Sequence, residues 1–366
     1  MTDTRPDPVS SLTSHQRICR ALAFEEPDRV PRFYSFWSEF SEVWKVARKE
    51  AAQDSDAARH YGSDMMVVAA NESAWPSAAT VIEQHGDETI QTNGWGVTAR
   101  SRSGAMFSKS LETSVPSRID PDKLVFEDPL SDSRYQGAGR HASKHREELA
   151  VFCKTGGPYL RAAFMRGQED FLMDIAEDPE WVRAFVERVT EHITQVGIES
   201  IRRFGLQETG IGIYDDVCTM TDPIMGASNY EKLFYPSLCR MVDGYKQAEA
   251  TTVFHHCDGK VDDLLDMWSS SGITAVHPLE ARVCMHPSEV KRRFGKRLAV
   301  IGGLDNCNLL PRGDIKEIHA HLDSLLDAAA GGGMVISPHS IGEDISVETM
   351  DAVTEYLNEH DSYPAS

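Results

Sequence analysis

Residues 210–255 contain the stretch that decides the fold: GIGIY at 210–214, YEKLFYPSLCRMVDGYKQAEA at 230–250 and TVFH at 252–255. The first and last pieces are short apolar runs, typical of buried strands, and the middle piece repeats its apolar residues at helical spacing. A strand, a helix and a second strand in this order predict a parallel βαβ unit.

Similar apolar runs recur along the chain, and amphipathic helical stretches separate most of them. We predict strands at 30–36, 65–70, 150–153, 210–214, 252–255, 275–277, 298–302 and 334–336. Eight strands alternating with helices predict an α/β fold, a single (β/α)8 TIM barrel, and the 366 residues of the chain suit one such barrel with an insertion.

One region, residues 74–148, breaks this alternation. Within it, residues 90–112 (IQTNGWGVTARSRSGAMFSKSLE) have the alternating pattern of strands and are bounded by turn residues. This pattern predicts a β-hairpin insertion. The polar residues 1–13 predict a flexible N-terminal tail. The barrel with its insertion is then expected to span 14–362.

The composition excludes several classes of partner. Acidic residues outnumber basic residues by 57 to 37, so the net charge of −20 disfavours both nucleic acid and anionic membranes. The seven cysteines have no dense spacing, and residues 1–16 carry early charges and two prolines and do not resemble a secretory signal, so we expect a reducing, cytoplasmic location.

Polar side chains follow five consecutive predicted strands. The carboxyl ends of the strands in a parallel barrel share one face, and that face carries the chemistry. The residues expected there are Tyr214, Asp215, Asp216, His255, His256, Cys257, Asp258, His277, Glu280, Asp305, Cys307, His339 and Ser340.

The sharpest local signal is FHHCDGK at 254–260. His255 and Cys257 lie two residues apart in an extended segment, so they can present an imidazole and a thiolate to one metal ion. Zinc needs further ligands, and the candidates on later loops are Glu280, Cys284, Cys307 and His339. The alternative is a buried His–Cys pair without a metal.

The carboxylates also have structural alternatives. Asp215 and Asp216 suit helix caps as well as ligand binding. Asp305, which follows two glycines, suits a turn as well as a catalytic site.

Several motifs resemble the uroporphyrinogen decarboxylase superfamily, whose fold is a single (β/α)8 barrel. The resemblance covers about residues 14–360 and is carried, in order, by EEPDRVP, GGPYLRAAFMRGQEDF, YDDVCTMTDPIMGASNYEKLF, HHCDGKVDDLL, RFGKRLAVIGGLD and GGGMVISPHSIGEDIS.

Two branches of this superfamily differ in their residues. The decarboxylases carry an arginine-rich motif after the first strand, where this chain has YSFWSEFSEVW at 34–44 and no arginine. The zinc-dependent corrinoid methyltransferases carry His-x-Cys-Gly after strand five and a second Cys after strand eight. This second resemblance implies a zinc site of His255, Cys257 and His339, with Asp258 in the position of the family's Gly and His339 in that of its second Cys.

The resemblance implies a zinc-dependent methyltransferase or demethylase. It would move a methyl group between a thiol or methyl ether and a corrinoid (cobalamin), either free or on a corrinoid protein. The implied catalytic residues are Asp216, Glu280 and Asp305, and the implied substrate-binding residues are Phe36, Trp37, Trp75, Tyr214 and Asp215.

Two alternatives stay open at this point. One is a metal-independent decarboxylase of another acid, with Asp216 or His339 as the proton donor. The other is a non-catalytic barrel that binds a corrinoid or a partner protein. A homodimer is compatible with each of these functions.

Overall fold

A computed structural model describes residues 12–49, 55–103 and 108–363. Most of the predicted 1–13 tail lies outside these residues. The strands are β1 (Met65–Val68), β2 (Thr80–His85), β3 (Glu88–Thr92), β4 (Thr98–Arg102), β5 (Lys109–Glu112), β6 (Ala150–Gly156), β7 (Gly210–Tyr214), β8 (Thr252–His256), β9 (Ala275–His277), β10 (Ala299–Gly303) and β11 (Met334–Ser337).

The helices cover the outside of the barrel. None of the described helices is both long and apolar enough to cross a bilayer. They are α1 (Ser14–Leu22), α2 (Ser38–Ala47), α3 (Ala57–His60), α4 (Gln136–His145), α5 (Pro158–Arg166), α6 (Gln168–Glu177), α7 (Pro179–Phe204), α8 (Ala227–Leu233), α9 (Tyr235–Gln247), α10 (Leu265–Ser271), α11 (Pro287–Phe294), α12 (Leu309–Arg312), α13 (Ile315–Ala329) and α14 (Val347–His360).

Seven parallel strands form the barrel sheet in the order β1-β6-β7-β8-β9-β10-β11. Each pairs with its neighbour in the order in which the βαβ units follow along the chain, as expected for a (β/α)8-type barrel. Strands β1 and β6 to β11 lie where the apolar runs predicted them. The TIM-barrel architecture predicted from the sequence is therefore confirmed.

Residues 30–36, predicted as the first strand, do not form a regular strand in the structure. They make isolated bridges, Arg32 to Ile336 and Phe36 to Ile341, and no continuous ladder. Pro31 has no N–H to donate, although its carbonyl accepts from Ile336. This segment fills the eighth position of the barrel, between β11 and the residues preceding β1.

A buried carboxylate attaches this closing segment to the barrel. Asp64, only 1% exposed, accepts hydrogen bonds from the Arg17 guanidinium at 2.6 Å, from both terminal nitrogens of Arg29 at 2.8 Å, from the Ser14 hydroxyl at 2.9 Å and from the Arg32 N–H at 3.0 Å. One side chain therefore joins α1, the closing segment and the start of β1.

The insertion is larger than the predicted hairpin. Strands β2, β3, β4 and β5 form a separate four-stranded antiparallel sheet between β1 and β6 of the chain. The hairpin predicted within 90–112 is present, and β2 at 80–85 extends it.

Side chains of the barrel strands alternate between two cores. Phe152, Phe254, Ile301 and Val335 point into the barrel interior and pack on one another. Residues of the opposite parity, such as Val253, pack outward against the helices. This alternation decides which residues can reach the site at the strand ends.

Replacing Asp64 with Ala should destabilise the protein by about 3–5 kcal/mol, since Arg17 and Arg29 would lose a shared, buried counter-charge. Thermal or denaturant unfolding measures the change. The matched control is Asp87→Ala, which removes an exposed carboxylate that lies 3.4 Å from Arg102 and should leave the unfolding midpoint nearly unchanged. Equal midpoints for the two variants would contradict the proposed importance of Asp64.

Candidate metal centre and active site

Strand β8 ends in two consecutive histidines that face opposite sides of the sheet. His255 points outward, where its ring stacks on Trp268 of α10 with centroids 4.0 Å apart. Neither ring nitrogen of His255 has a hydrogen-bond partner within the described structure. Burial lowers the pKa of His255 to about 3, so this imidazole is neutral and lies in the helix layer.

Cys257 also lies away from the barrel interior. Its thiol accepts a hydrogen bond from the Val217 N–H at 3.3 Å and donates to the carbonyl of Asp258 at 3.1 Å. Burial raises the pKa of the Cys257 thiol well above its usual value, and the neighbouring Cys218 raises it further. The structure therefore does not bring the predicted ligands His255, Cys257 and His339 together, because two of them occupy outward positions.

Three other groups converge at the mouth of the barrel. The ligand atoms of His256, Asp258 and His339 all lie within 4.8 Å of one another. The Oδ1 atom of Asp258 is 3.5 Å from Nε2 of His339 and 3.8 Å from Nε2 of His256. This oxygen is buried and accepts no hydrogen bond from the described residues. A buried carboxylate oxygen without a donor is costly unless a cation meets it.

Two imidazoles and one carboxylate are a suitable ligand set for zinc. Catalytic zinc sites use three protein ligands of these types and leave one position open. Burial raises the pKa of Asp258 to about 6, against the effect of the His339 ring, so the carboxylate is mostly ionised at neutral pH. Burial lowers the pKa of His256 well below its usual value, which keeps its imidazole in the neutral, metal-binding form.

His277, at the end of β9, orients His256. Nδ1 of His256 lies 2.6 Å from Nδ1 of His277, and the His277 ring also bonds to the backbone of Pro338. A neutral His277 that donates to the Pro338 carbonyl must accept from Nδ1–H of His256. The lone pair of His256 at Nε2 then faces Asp258, as a metal ligand requires.

His339 is supported more weakly, by the loop that carries it. The indole N–H of Trp37 donates to the Ser340 hydroxyl at 2.7 Å, and this hydroxyl lies 3.4 Å from Nδ1 of His339. The predicted substrate residue Trp37 thus contacts the site through Ser340.

Two of the predicted catalytic carboxylates hold the loop that bears Asp258. Oδ1 of Asp216 accepts from the Asp258 N–H at 3.1 Å and lies 3.8 Å from Nε2 of His256. Glu280 accepts from the Gly259 N–H at 3.0 Å and pairs with Arg282 at 2.9 Å. Gly259 has φ +85°, and a Cβ there would lie 2.3 Å from the Thr219 carbonyl oxygen, so the turn needs glycine.

Two other predicted site residues accept hydrogen bonds from backbone N–H groups. Fully buried Asp215 accepts from the N–H groups of Tyr159 at 3.1 Å and Leu160 at 2.6 Å, in the first turn of α5. Burial raises the pKa of Asp215 to about 7 despite these bonds. Asp305 accepts from the N–H groups of Cys307 at 3.0 Å and Asn308 at 2.9 Å. Asp215 thus binds the first turn of α5, which precedes it in the chain, whereas its structural alternative was a cap on the helix that follows. Asp305 lies in a turn, as its structural alternative describes.

A cavity of about 500 Å³ opens beside the three converging ligands. Its wall includes the predicted residues Phe36, Trp37 and Tyr214, and the Tyr214 ring stacks on His256 at 4.3 Å. Trp75 does not line this cavity. Its indole N–H donates to the Val125 carbonyl at 2.8 Å, and its ring packs edge-on against Phe126 at the base of the insertion.

Sequence reasoning placed His256, Asp258 and His277 at this face but did not assign them as ligands or as an orienting residue, and it missed the cavity-lining Lys154. A signal for the first two was available. Phe254 is the bulky apolar residue expected in the barrel interior, and residues 256 and 258 have the same parity along the extended chain.

Replacing Asp215 with Ala should lower the free energy of unfolding by about 1–3 kcal/mol, because two buried N–H groups of α5 would lose their acceptor. Denaturant unfolding measures the loss. Asp216→Ala is the neighbouring control, since that carboxylate is partly exposed and accepts one N–H. A larger loss of unfolding free energy in Asp216→Ala than in Asp215→Ala would contradict the role of Asp215 as the acceptor for the first turn of α5.

The chain is similar to one protein family and to methyltransferases of known sequence and structure. The family model described as uroporphyrinogen decarboxylase (URO-D) matches residues 94–360. The methylcobamide:CoM methyltransferase MtbA of Methanosarcina mazei is 21% identical over 334 residues, which cover 88% of this chain and 91% of that protein. A solved methyltransferase structure from Methanosarcina mazei superposes with a TM-score of 0.68 at 13% identity, covering 95% of this chain and 99% of the other.

Proposed function

Since this chain belongs to the uroporphyrinogen decarboxylase family, we propose that it is a zinc-dependent methyltransferase that moves a methyl group between a small substrate and a corrinoid. One observation carries the proposal. Two imidazoles and a carboxylate converge on the cavity at the strand carboxyl ends, and the buried Oδ1 atom of the carboxylate has no hydrogen-bond donor among the described residues. This is the barrel face on which enzymes of this architecture carry their sites.

A shift of one residue reconciles the family motif with this geometry. His256-Cys257-Asp258-Gly259 matches His-x-Cys-Gly with Asp258 in the place of the cysteine and with the glycine retained. His339 keeps its position in the loop after the last strand. The proposed ligand set is thus His256, Asp258 and His339, in place of the set first expected.

Zinc, when bound, supplies a Lewis acid that polarises a thiol or an ether oxygen of the substrate. His277 fixes the tautomer of His256, while Glu280 holds the turn after Asp258. The partly exposed carboxylate of Asp216 faces His256 and is proposed to hold the proton that the substrate heteroatom gains or loses. Asp305 is proposed to act on the site only indirectly, by holding the loop that follows β10.

The similarity to MtbA, a protein named for methylcobamide and CoM, supports a corrinoid as the second reactant. We propose that free cobalamin or a corrinoid protein docks over the mouth of the barrel, where the cavity opens. Tyr214, Phe36 and Trp37 then form the apolar wall beside the methyl group.

The ligand assignment can be tested with two matched pairs of variants. His256→Phe and Asp258→Ala should each reduce zinc below near-stoichiometric content, because each removes a proposed ligand. His255→Phe and Cys257→Ala should retain zinc, because those side chains face the helix layer. Elemental analysis of protein purified without chelators measures the content. Zinc loss confined to the His255 and Cys257 variants would overturn the assignment.

The reaction can be tested with the zinc-loaded protein and cob(I)alamin. We expect the absorption spectrum to change to that of methylcob(III)alamin with a methyl thioether or methyl ether as donor, and the Asp258→Ala protein should lose this activity by at least about 100-fold. An unchanged cob(I)alamin spectrum with both classes of donor would contradict the proposal. Release of CO2 from an added acid would instead favour the decarboxylase.

A further inference from the structure

A lysine without an acidic partner lies in the wall of the same cavity. Lys154 is half-buried on β6, and its Nζ sits 4.4 Å from the centroid of the Tyr214 ring. No carboxylate lies within 4.0 Å of this ammonium group among residues 12–49, 55–103 and 108–363. Burial of a cation without a counter-charge is unfavourable, and contact with one aromatic face offsets only part of that cost.

Glu72, the carboxylate that acts electrostatically on Lys154, is already bonded to other groups. Glu72 accepts from the Gly156 N–H at 2.7 Å and from the Arg161 guanidinium at 2.6 Å. Arg161 therefore has its counter-ion, and the group of Arg161, Lys154 and Glu72 holds two positive charges and one negative charge. Burial, and then Arg161, lower the pKa of Lys154, and Glu72 offsets only part of this effect.

This local positive charge stands in a chain of net charge −20. Lys154 lines the same cavity as His256 and His339. The Tyr214 ring connects the two ends, since it lies under Lys154 on one side and stacks on His256 at 4.3 Å on the other. Lys154, His256 and His339 all line this one cavity, so one substrate can contact the ammonium group and the two imidazoles together.

We propose that Lys154 binds the carboxylate of the substrate, and that the methyl donor is an aromatic methyl ether carrying that carboxylate. The ring of the substrate would pack in the aromatic wall formed by Phe33, Phe36, Trp37 and Tyr214. Its ether oxygen would then face His256, Asp258 and His339. This inference rests on the proposed function for the identity of the reacting end, while the carboxylate contact rests on Lys154 alone.

The test compares two probes that differ by one carboxylate, 4-methoxybenzoate and methoxybenzene. Binding is measured by calorimetry on the full-length protein, with and without added zinc, so the readout does not depend on turnover. Wild-type protein should bind 4-methoxybenzoate at least about tenfold more tightly than methoxybenzene, as one charge-assisted hydrogen bond provides. Lys154→Met should reduce this preference to less than about threefold, and Lys154→Arg should restore most of it.

Lys45→Met is the control, because it removes the same charge from an exposed helix position where Lys45 pairs with Glu42. It should leave the preference unchanged. An equal preference in wild-type and Lys154→Met protein, or no binding of either probe, would overturn the proposal.

The two proposals fail in different ways. A carboxylate preference that depends on Lys154 in a protein that binds no zinc would leave the carboxylate contact of Lys154 standing and overturn the proposed function. Methyl transfer from methoxybenzene as efficient as from 4-methoxybenzoate would leave the proposed function standing and overturn the role of Lys154 in binding a substrate carboxylate.

Discussion

The two-residue alternation of strand β8 is the constraint on which the site depends. Phe254 must fill the barrel interior, so His256 points inward and His255 points to Trp268. A slip of one residue would exchange these two histidines and would place Phe254 among the helices. The packing of one phenylalanine thus determines which imidazole reaches the cavity.

The neighbouring strands complete what β8 begins. Strand β9 contributes His277, whose ring sets the tautomer of His256, and β7 contributes Tyr214, whose ring stacks on it. The loop after β11 brings His339 to Asp258. Because these residues come from strands on both sides of β8, the ligand arrangement requires the curved sheet. The closing segment held by Asp64 carries Phe36 and Trp37 to the same cavity.

Much of the fold could be predicted because the apolar runs are local signals. Seven strands lie where these runs predicted them, and the resemblance to the uroporphyrinogen decarboxylase superfamily is confirmed by the match to residues 94–360, which contain every quoted motif except EEPDRVP. The prediction of a regular first strand at residues 30–36 was wrong, because this segment makes isolated bridges and no continuous ladder. Its apolar and aromatic residues are indeed buried, but ladder pairing also depends on the backbone donors of its neighbours, and Pro31 lacks one.

The sequence by itself determined the barrel, the family and the face on which polar residues gather, because hydrophobic spacing and loop order are properties of neighbouring residues. Only the tertiary structure decided which of those residues meet. Asp215 and Asp216 are adjacent, yet the first caps α5 and the second faces His256, since successive side chains leave opposite sides of the extended chain. Residues far apart in sequence share the cavity, and their distances are determined by the curvature and packing of the whole sheet.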